Sequence, residues 1–227
     1  FRDQRDATRL ERVVEELRQG VLSSLVLTVP PGVTWTVPVY ELALLATNEI
    51  ERLGVNADVT LVTPERRVLE AFGGPVSEFV SDLLAELEVR VVGATMPRVV
   101  DRRGLHLADG GHIAADRVVA APALVGRRIP GVPADFGGFV RTRALGRVDE
   151  LADVYAAGDM TSFPVKQGGL AAQQADAIAA VIALRAGGAP AMPPLTSVLR
   201  TQLFGAPEPL FLEATLDLQG RPIEGSS

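Results

Sequence analysis

Apolar and polar positions along the chain fall into segments of two kinds. In "RDATRLERVVEELRQG" (5–20), Leu10, Val13, Val14 and Leu17 recur at helical spacing, and Gly20 can close the helix. "VLSSLVLTV" (21–29) is an apolar run of strand length, and "PPGVTWTVP" (30–38) reads as a loop. A second helix follows in "VYELALLATNEIERLG" (39–54), then a strand in "ADVTLVTP" (57–64). "SEFVSDLLAELE" (77–88) and "VRVVGA" (89–94) add a helix and a third strand. Strand, helix, strand, helix, strand at this spacing predicts a parallel sheet with right-handed crossovers.

The pattern then changes. "MPRVVDR", "GLHLADGGHIAA" and "DRVVAAPAL" are short and alternating, and Asp109-Gly110-Gly111 is a hairpin signal. They predict a small antiparallel meander returning to one more parallel strand, 117–121. Residues 125–138 read as loop and "LADVYAAG" (151–158) as a strand. A long alanine-rich helix lies within 168–188, and 189–194 is a linker. "TSVLRTQLFG" and "EPLFLEATLD" predict two strands, and the tail "QGRPIEGSS" is expected to fray.

Composition narrows the function. At 227 residues and 47% hydrophobic, the chain can bury a sizeable core. A net charge of -6 and few aromatics argue against a nucleic-acid partner. No apolar run reaches the roughly 20 residues of a membrane-spanning helix. There is no cysteine, which excludes disulfides, thiolate catalysis and cysteine metal sites within this chain. His106 and His112 flank the hairpin turn; exposed hairpin histidines are the better reading, and a metal site the weaker one. The chain starts at Phe1 without a signal-peptide pattern, so a longer parent polypeptide is expected.

A dinucleotide fold usually carries glycines between its first strand and helix, so that a pyrophosphate can approach the helix start. Counting back from Glu41, those positions hold Thr34, Thr36 and Val39, and the loop carries Pro30, Pro31, Trp35 and Pro38. The acid that would hold a ribose is also displaced: Thr63 occupies the expected position. Glu65 could reach a ribose and Arg66 or Arg67 a phosphate, but solvated charges opening a loop are the favoured reading. NAD(P) binding is therefore doubtful.

"VYAAGDMTSFPVKQGG" (154–169) keeps more chemistry. Gly158 lets a ligand approach the backbone, and Asp159 follows at an expected strand end, where ligands sit in open α/β sheets. Lys166, the only lysine in the chain, precedes a helix expected to start near Gly168. The free amides and positive dipole of that helix start favour a negative charge on a ligand.

"VYAAGD…KQGGLAAQQAD" resembles the second FAD motif of the pyridine nucleotide-disulfide oxidoreductase superfamily. The "FPVKQGG" form is most similar to the branch of sulfide:quinone reductases, flavocytochrome c sulfide dehydrogenase flavoprotein subunits and type II NADH dehydrogenases. "DRVVAAPALVGRRIPGVP" (116–133) resembles the return from the NAD-type domain into the FAD domain. The resemblance implies an α/β fold: a parallel Rossmann-like sheet with a small antiparallel meander, plus the C-terminal portion of an FAD-binding domain. It divides the chain into a linking helix (1–20), an NAD(P)-type domain (21–121), the FAD-domain part (122–188) and C-terminal strands with a frayed tail (189–227).

The resemblance also assigns roles. Asp159 would hydrogen-bond the ribityl chain of FAD, with Gly158 beside it letting the cofactor press close to the backbone. Gly168 and Gly169 would offer amides to the pyrimidine edge, Lys166 would add positive charge there, and Gln167 would flank the ring or a substrate. The first FAD motif is missing, so the chain as it stands is expected to bind FAD poorly and to lack activity. The absence of cysteine makes sulfide:quinone chemistry doubtful. What remains is a flavin-dependent oxidoreductase with an unnamed donor, a small molecule or quinone as redox partner, and a homo-oligomer as one possible assembly. The expected location is cytoplasmic or peripheral to a membrane, with "TSVLRTQLFGAPEPLFL" read equally as an interface or as a buried sheet. The alternative is a non-catalytic, degenerate nucleotide-fold module used for protein association.

Overall fold

The structure is a computed structural model that describes residues 4–33, 35–191 and 194–223. Phe1 to Asp3, Thr34, two linker residues and the last four residues of the expected tail lie outside that range. The chain divides into two units. The first comprises Phe1–Glu70, Gly74–Ala123 and Gln202–Phe211; the second comprises Ala71–Gly73, Leu124–Thr201 and Leu212–Ser227.

In the first unit, helix α1 (Gln4–Arg18) precedes β1 (Ser24–Thr28), α2 (Val37–Leu53), β2 (Asp58–Val62), α3 (Gly74–Glu86) and β3 (Arg90–Val92). A meander of β4 (Pro97–Asp101), β5 (Gly104–Leu107) and β6 (His112–Ala114) leads into β7 (Arg117–Ala120). The parallel sheet has the order β3-β2-β1-β7. Its registers pair Val26 with Thr60 and with Val118, and Leu61 with Val91. Both faces of a parallel sheet are covered, which is why β1 and β2 read as unbroken apolar runs. Leu25, Val26, Leu27, Val59, Leu61 and Val62 are all buried. The meander closes over the sheet through Leu105, Leu107 and Ile113, which cluster with Val26 and Val62. Asp116 ties β7 to β1: its Oδ2 accepts hydrogen bonds from the backbone amides and hydroxyls of Ser23 and Ser24.

The second unit is built around helix α4 (Gly168–Arg185). A small core of Val140, Val148 and Ala156 lies within this unit. The sequence predicts a strand over 151–158, and here the structure differs. The segment makes one bridge, Arg147 with Tyr155, through Val148 N to Val154 O and Ala156 N to Gly146 O, each 2.9 Å. Its neighbour turns away at Leu145 and Gly146, both left-handed (φ 57° and 73°), so no ladder can extend.

Strands β8 (Ser197–Leu203) and β9 (Leu210–Leu216) form the expected two-stranded sheet. The tail is not frayed as far as it is described. Asp217 accepts from the amides of Gln219 and Arg221, and Ile223 N donates to Thr215 O at 2.8 Å. An Asx turn thus folds 217–223 back on β9. No helix among the described residues is long and apolar enough to cross a membrane.

Candidate flavin-binding site

The residues singled out in 154–169 lie in the second unit, on a turn and on the start of α4. After the extended Ala157, Gly158–Met160 forms one 3-10 turn. Gly158 adopts φ 74°, and a Cβ there would stand 3.0 Å from the Ala171 Cβ on α4. Its amide donates to Gln174 Oε1 at 2.8 Å, and its carbonyl accepts from the Thr161 hydroxyl at 2.8 Å. The turn is therefore clamped to the helix. Gly158→Ala should cost about 1–2 kcal/mol, the usual penalty of left-handed backbone for a residue with a Cβ. A thermal melt reads that loss directly; an unchanged midpoint would mean the turn can shift away from α4.

Asp159 follows on this clamped turn. Its carboxylate is exposed and accepts no hydrogen bond among the described residues. Such a group on a fixed backbone is available to ligand hydroxyls.

Lys166 points elsewhere. It is 6% exposed, and its ammonium donates to the carbonyls of Thr161 and of Phe163, the latter at 2.7 Å. It also sits 4.2 Å from the centre of the Phe139 ring. Burial pushes its pKa down, and the charges of Asp159 and Asp135 oppose that shift. The lysine fastens the loop before α4, and its charge is felt by that of Asp159.

Gln167 is the N-cap of α4. Its Oε1 accepts from Leu170 N at 2.9 Å, and its Nε2 donates to Arg200 O at 3.1 Å. Its carbonyl accepts from Ala171 N at 3.0 Å. Gly168 and Gly169 are exposed, and among the described residues their amides donate to nothing. The Ala171 bond is the first intrahelical one, so of the orphan amides at the helix start that of Leu170 is capped by Gln167, while those of Gly168 and Gly169 remain open. Neither glycine carries a side chain that would shield them.

A cavity of about 800 Å³ opens along the flank of α4, lined by Thr142, Phe163, Gln173, Gln174, Ala177 and Leu218 among others. Asp159, Gly168 and Gly169 are not part of its wall; Gln174, which lines it and holds Gly158, connects the two. Sequence reasoning missed Gln173 and Gln174. Gln173 makes a paired contact with the backbone of Val198, 2.8 Å in each direction, and so docks β8 on the helix. The spacing of Gln167, Gln173 and Gln174 on one helix was the available signal.

In the first unit, the end of β2 is closed. Glu65 Oε2 accepts from the Tyr40 hydroxyl at 2.7 Å and the Thr63 hydroxyl at 3.0 Å. Its Oε1 accepts from the Thr36 hydroxyl at 3.1 Å and from Glu70 N at 3.2 Å. Burial nevertheless holds its pKa above the ordinary glutamate value. The carboxylate is turned toward the start of α2.

The sequence matches the family model described as pyridine nucleotide-disulphide oxidoreductase over residues 41–179. No curated protein matches it. Among solved structures, the sulfide:quinone oxidoreductase of Aquifex aeolicus is similar, with 18% identity and a TM-score of 0.70. That match covers 89% of this chain and 53% of the other. LpdA of Mycobacterium tuberculosis matches with 20% identity and a TM-score of 0.59, covering 86% and 40%. Putidaredoxin reductase, in its covalent complex with putidaredoxin, matches with 20% identity and a TM-score of 0.60, covering 95% and 50%. The chain spans about half the length of these structures or less, and at such identity the likeness concerns the fold. With the family model covering more than half of its length, the chain belongs to the pyridine nucleotide-disulphide oxidoreductase family.

Proposed function

We propose that this chain carries the ribityl and pyrimidine side of an FAD site in a flavin-dependent oxidoreductase. In this reading 21–121 is the NAD(P)-type domain, and 122–188 is the C-terminal part of the FAD-binding domain. The observation that carries it is the pairing of a free, exposed carboxylate with free helix-start amides. Asp159 stands on a turn clamped to α4, and the Gly168 and Gly169 amides are open at its start. Asp159 would accept hydrogen bonds from the ribityl hydroxyls. Gly158 keeps the backbone low there. Gly168 and Gly169 would donate to the pyrimidine edge, where the helix dipole favours negative charge. Lys166 and Gln167 hold the loop and the helix start in place, with Lys166 adding positive charge. Bound FAD would supply the electron-carrying chemistry. A quinone or another small molecule is the redox partner this family allows, and a cytoplasmic or membrane-peripheral location follows from the same reading.

A half-site of this kind has a distinctive ligand preference. Riboflavin, FMN and FAD share the ribityl chain and the ring, so the chain should bind all three weakly and with affinities within a few-fold of one another. Titration followed by flavin fluorescence measures this. FAD binding far tighter than riboflavin would show that a pyrophosphate site is present as well, and no saturable binding of any flavin would remove the reading.

For the first unit, a second reading has its own support. Glu65 is engaged by Thr36, Tyr40, Thr63 and Glu70. We infer a nucleotide-type fold kept for packing or protein association, with little affinity for NAD(P).

A further inference from the structure

The meander β4-β5-β6 has two faces. Leu105, Leu107 and Ile113 point into the core, and His106 and His112 alternate with them. The register sets His106 directly opposite His112, so both rings stand on the outer face. Their centroids are 4.6 Å apart with the planes tilted by 49°. From β4, Asp101 Oδ2 lies 2.9 Å from His106 Nε2, while Oδ1 accepts from Arg103 N at 2.7 Å. One ligand atom from each of the three groups falls within 4.8 Å of the others. These are the only two histidines in the chain.

Two imidazoles and one carboxylate form a nitrogen and oxygen set of the kind that takes a divalent d-block cation, with zinc–nitrogen distances of about 2.0–2.1 Å. In a tetrahedral site such ligands stand about 3.3 Å apart. Small side-chain rotations close the present spread, and they occur on an outer face whose backbone is pinned by the buried Leu105 and Ile113. We propose that Asp101, His106 and His112 form a zinc-type cation site that ties together the three strands of the meander. A fourth position, toward solvent, is left for water. Nothing in the flavin reading uses these residues, so the two proposals stand or fall separately.

The experiment is a titration of the chelator-treated chain with Zn²⁺, read by calorimetry and by the imidazole resonances of the two histidines. One equivalent should bind, and both rings should shift together up to that ratio. His112→Ala should weaken Zn²⁺ binding at least tenfold while leaving the zinc-free melting midpoint in place. Asp101→Asn should weaken binding as well, and serves as the reading if His112→Ala disturbs the hairpin. Unmoved rings, movement of one ring alone, or equal affinity in the wild type and either variant would overturn the site.

Discussion

Glu65→Ala should lower the stability of the first unit by about 3 kcal/mol, the largest loss expected from a single exchange outside the apolar core. The carboxylate is the common acceptor of four donors from three places in the chain. Thr36 and Tyr40 come from the start of α2, Thr63 from the end of β2, and Glu70 from the turn beyond it. Tyr40 is fully buried, so its hydroxyl has no water to turn to when the acceptor is removed. Burial, and then the charge of Glu65, hold the tyrosine pKa far above its usual value. The single tryptophan, Trp35, adjoins Thr36, and its fluorescence in a urea titration reports the loss. A midpoint within experimental error of the wild type would mean that the network is incidental.

Glu65→Gln gives the sign of the charge effect. The folded-state pKa of Glu65 lies above its unfolded value of 4.5, chiefly through burial. The stability linked to its protonation is therefore fully present below the unfolded value and is lost as pH rises through the folded one. Wild-type stability should fall with pH across that window, and the glutamine variant should show a flatter profile. Parallel profiles would place the burial cost elsewhere.

How much of this was legible in the sequence depends on the range of the interactions. The runs 21–29 and 57–64 became β1 and β2 because burial on both faces leaves continuous apolar residues. The Asp109-Gly110 turn was legible because its chemistry is local: Gly110 takes φ 91° and Asp109 accepts from Gly111 N. Residues 154–157 look like a strand by composition, but a strand exists only with a partner, and the partner here ends at Leu145 and Gly146. Lys166 read as a ligand-facing charge because its two carbonyl acceptors and the Phe139 ring depend on a loop path that no periodicity encodes. Glu65 read as a solvated charge for the same reason: Thr36 and Tyr40 are 25 or more positions away. The tail was underestimated because one aspartate, Asp217, organises it through backbone amides rather than through apolar packing.

Asp159→Ala should weaken flavin binding about tenfold to a hundredfold, the difference made by losing a charged hydrogen-bond acceptor. The same exchange should leave the melting midpoint nearly unchanged, because the carboxylate is exposed and accepts no hydrogen bond among the described residues. That separation distinguishes a ligand-facing group from a structural one. Gly158, one position earlier, should behave in the opposite way: its substitution acts first on stability, through α4 and Ala171. Asp159→Asn refines the reading. An amide of the same shape keeps one oxygen acceptor but loses the charge, so intermediate binding is expected if ribityl hydroxyls are the partners. Lumiflavin, which has the ring without the ribityl chain, supplies the complementary ligand change. Its binding to the wild type should already be weak, and Asp159→Ala should weaken it no further. If the variant lowered lumiflavin and riboflavin affinity equally, the carboxylate would act on the ring rather than on the polyol. The assignment of Asp159 to the ribityl chain would then fall, while the assignment of the Gly168 and Gly169 amides to the pyrimidine edge would stand.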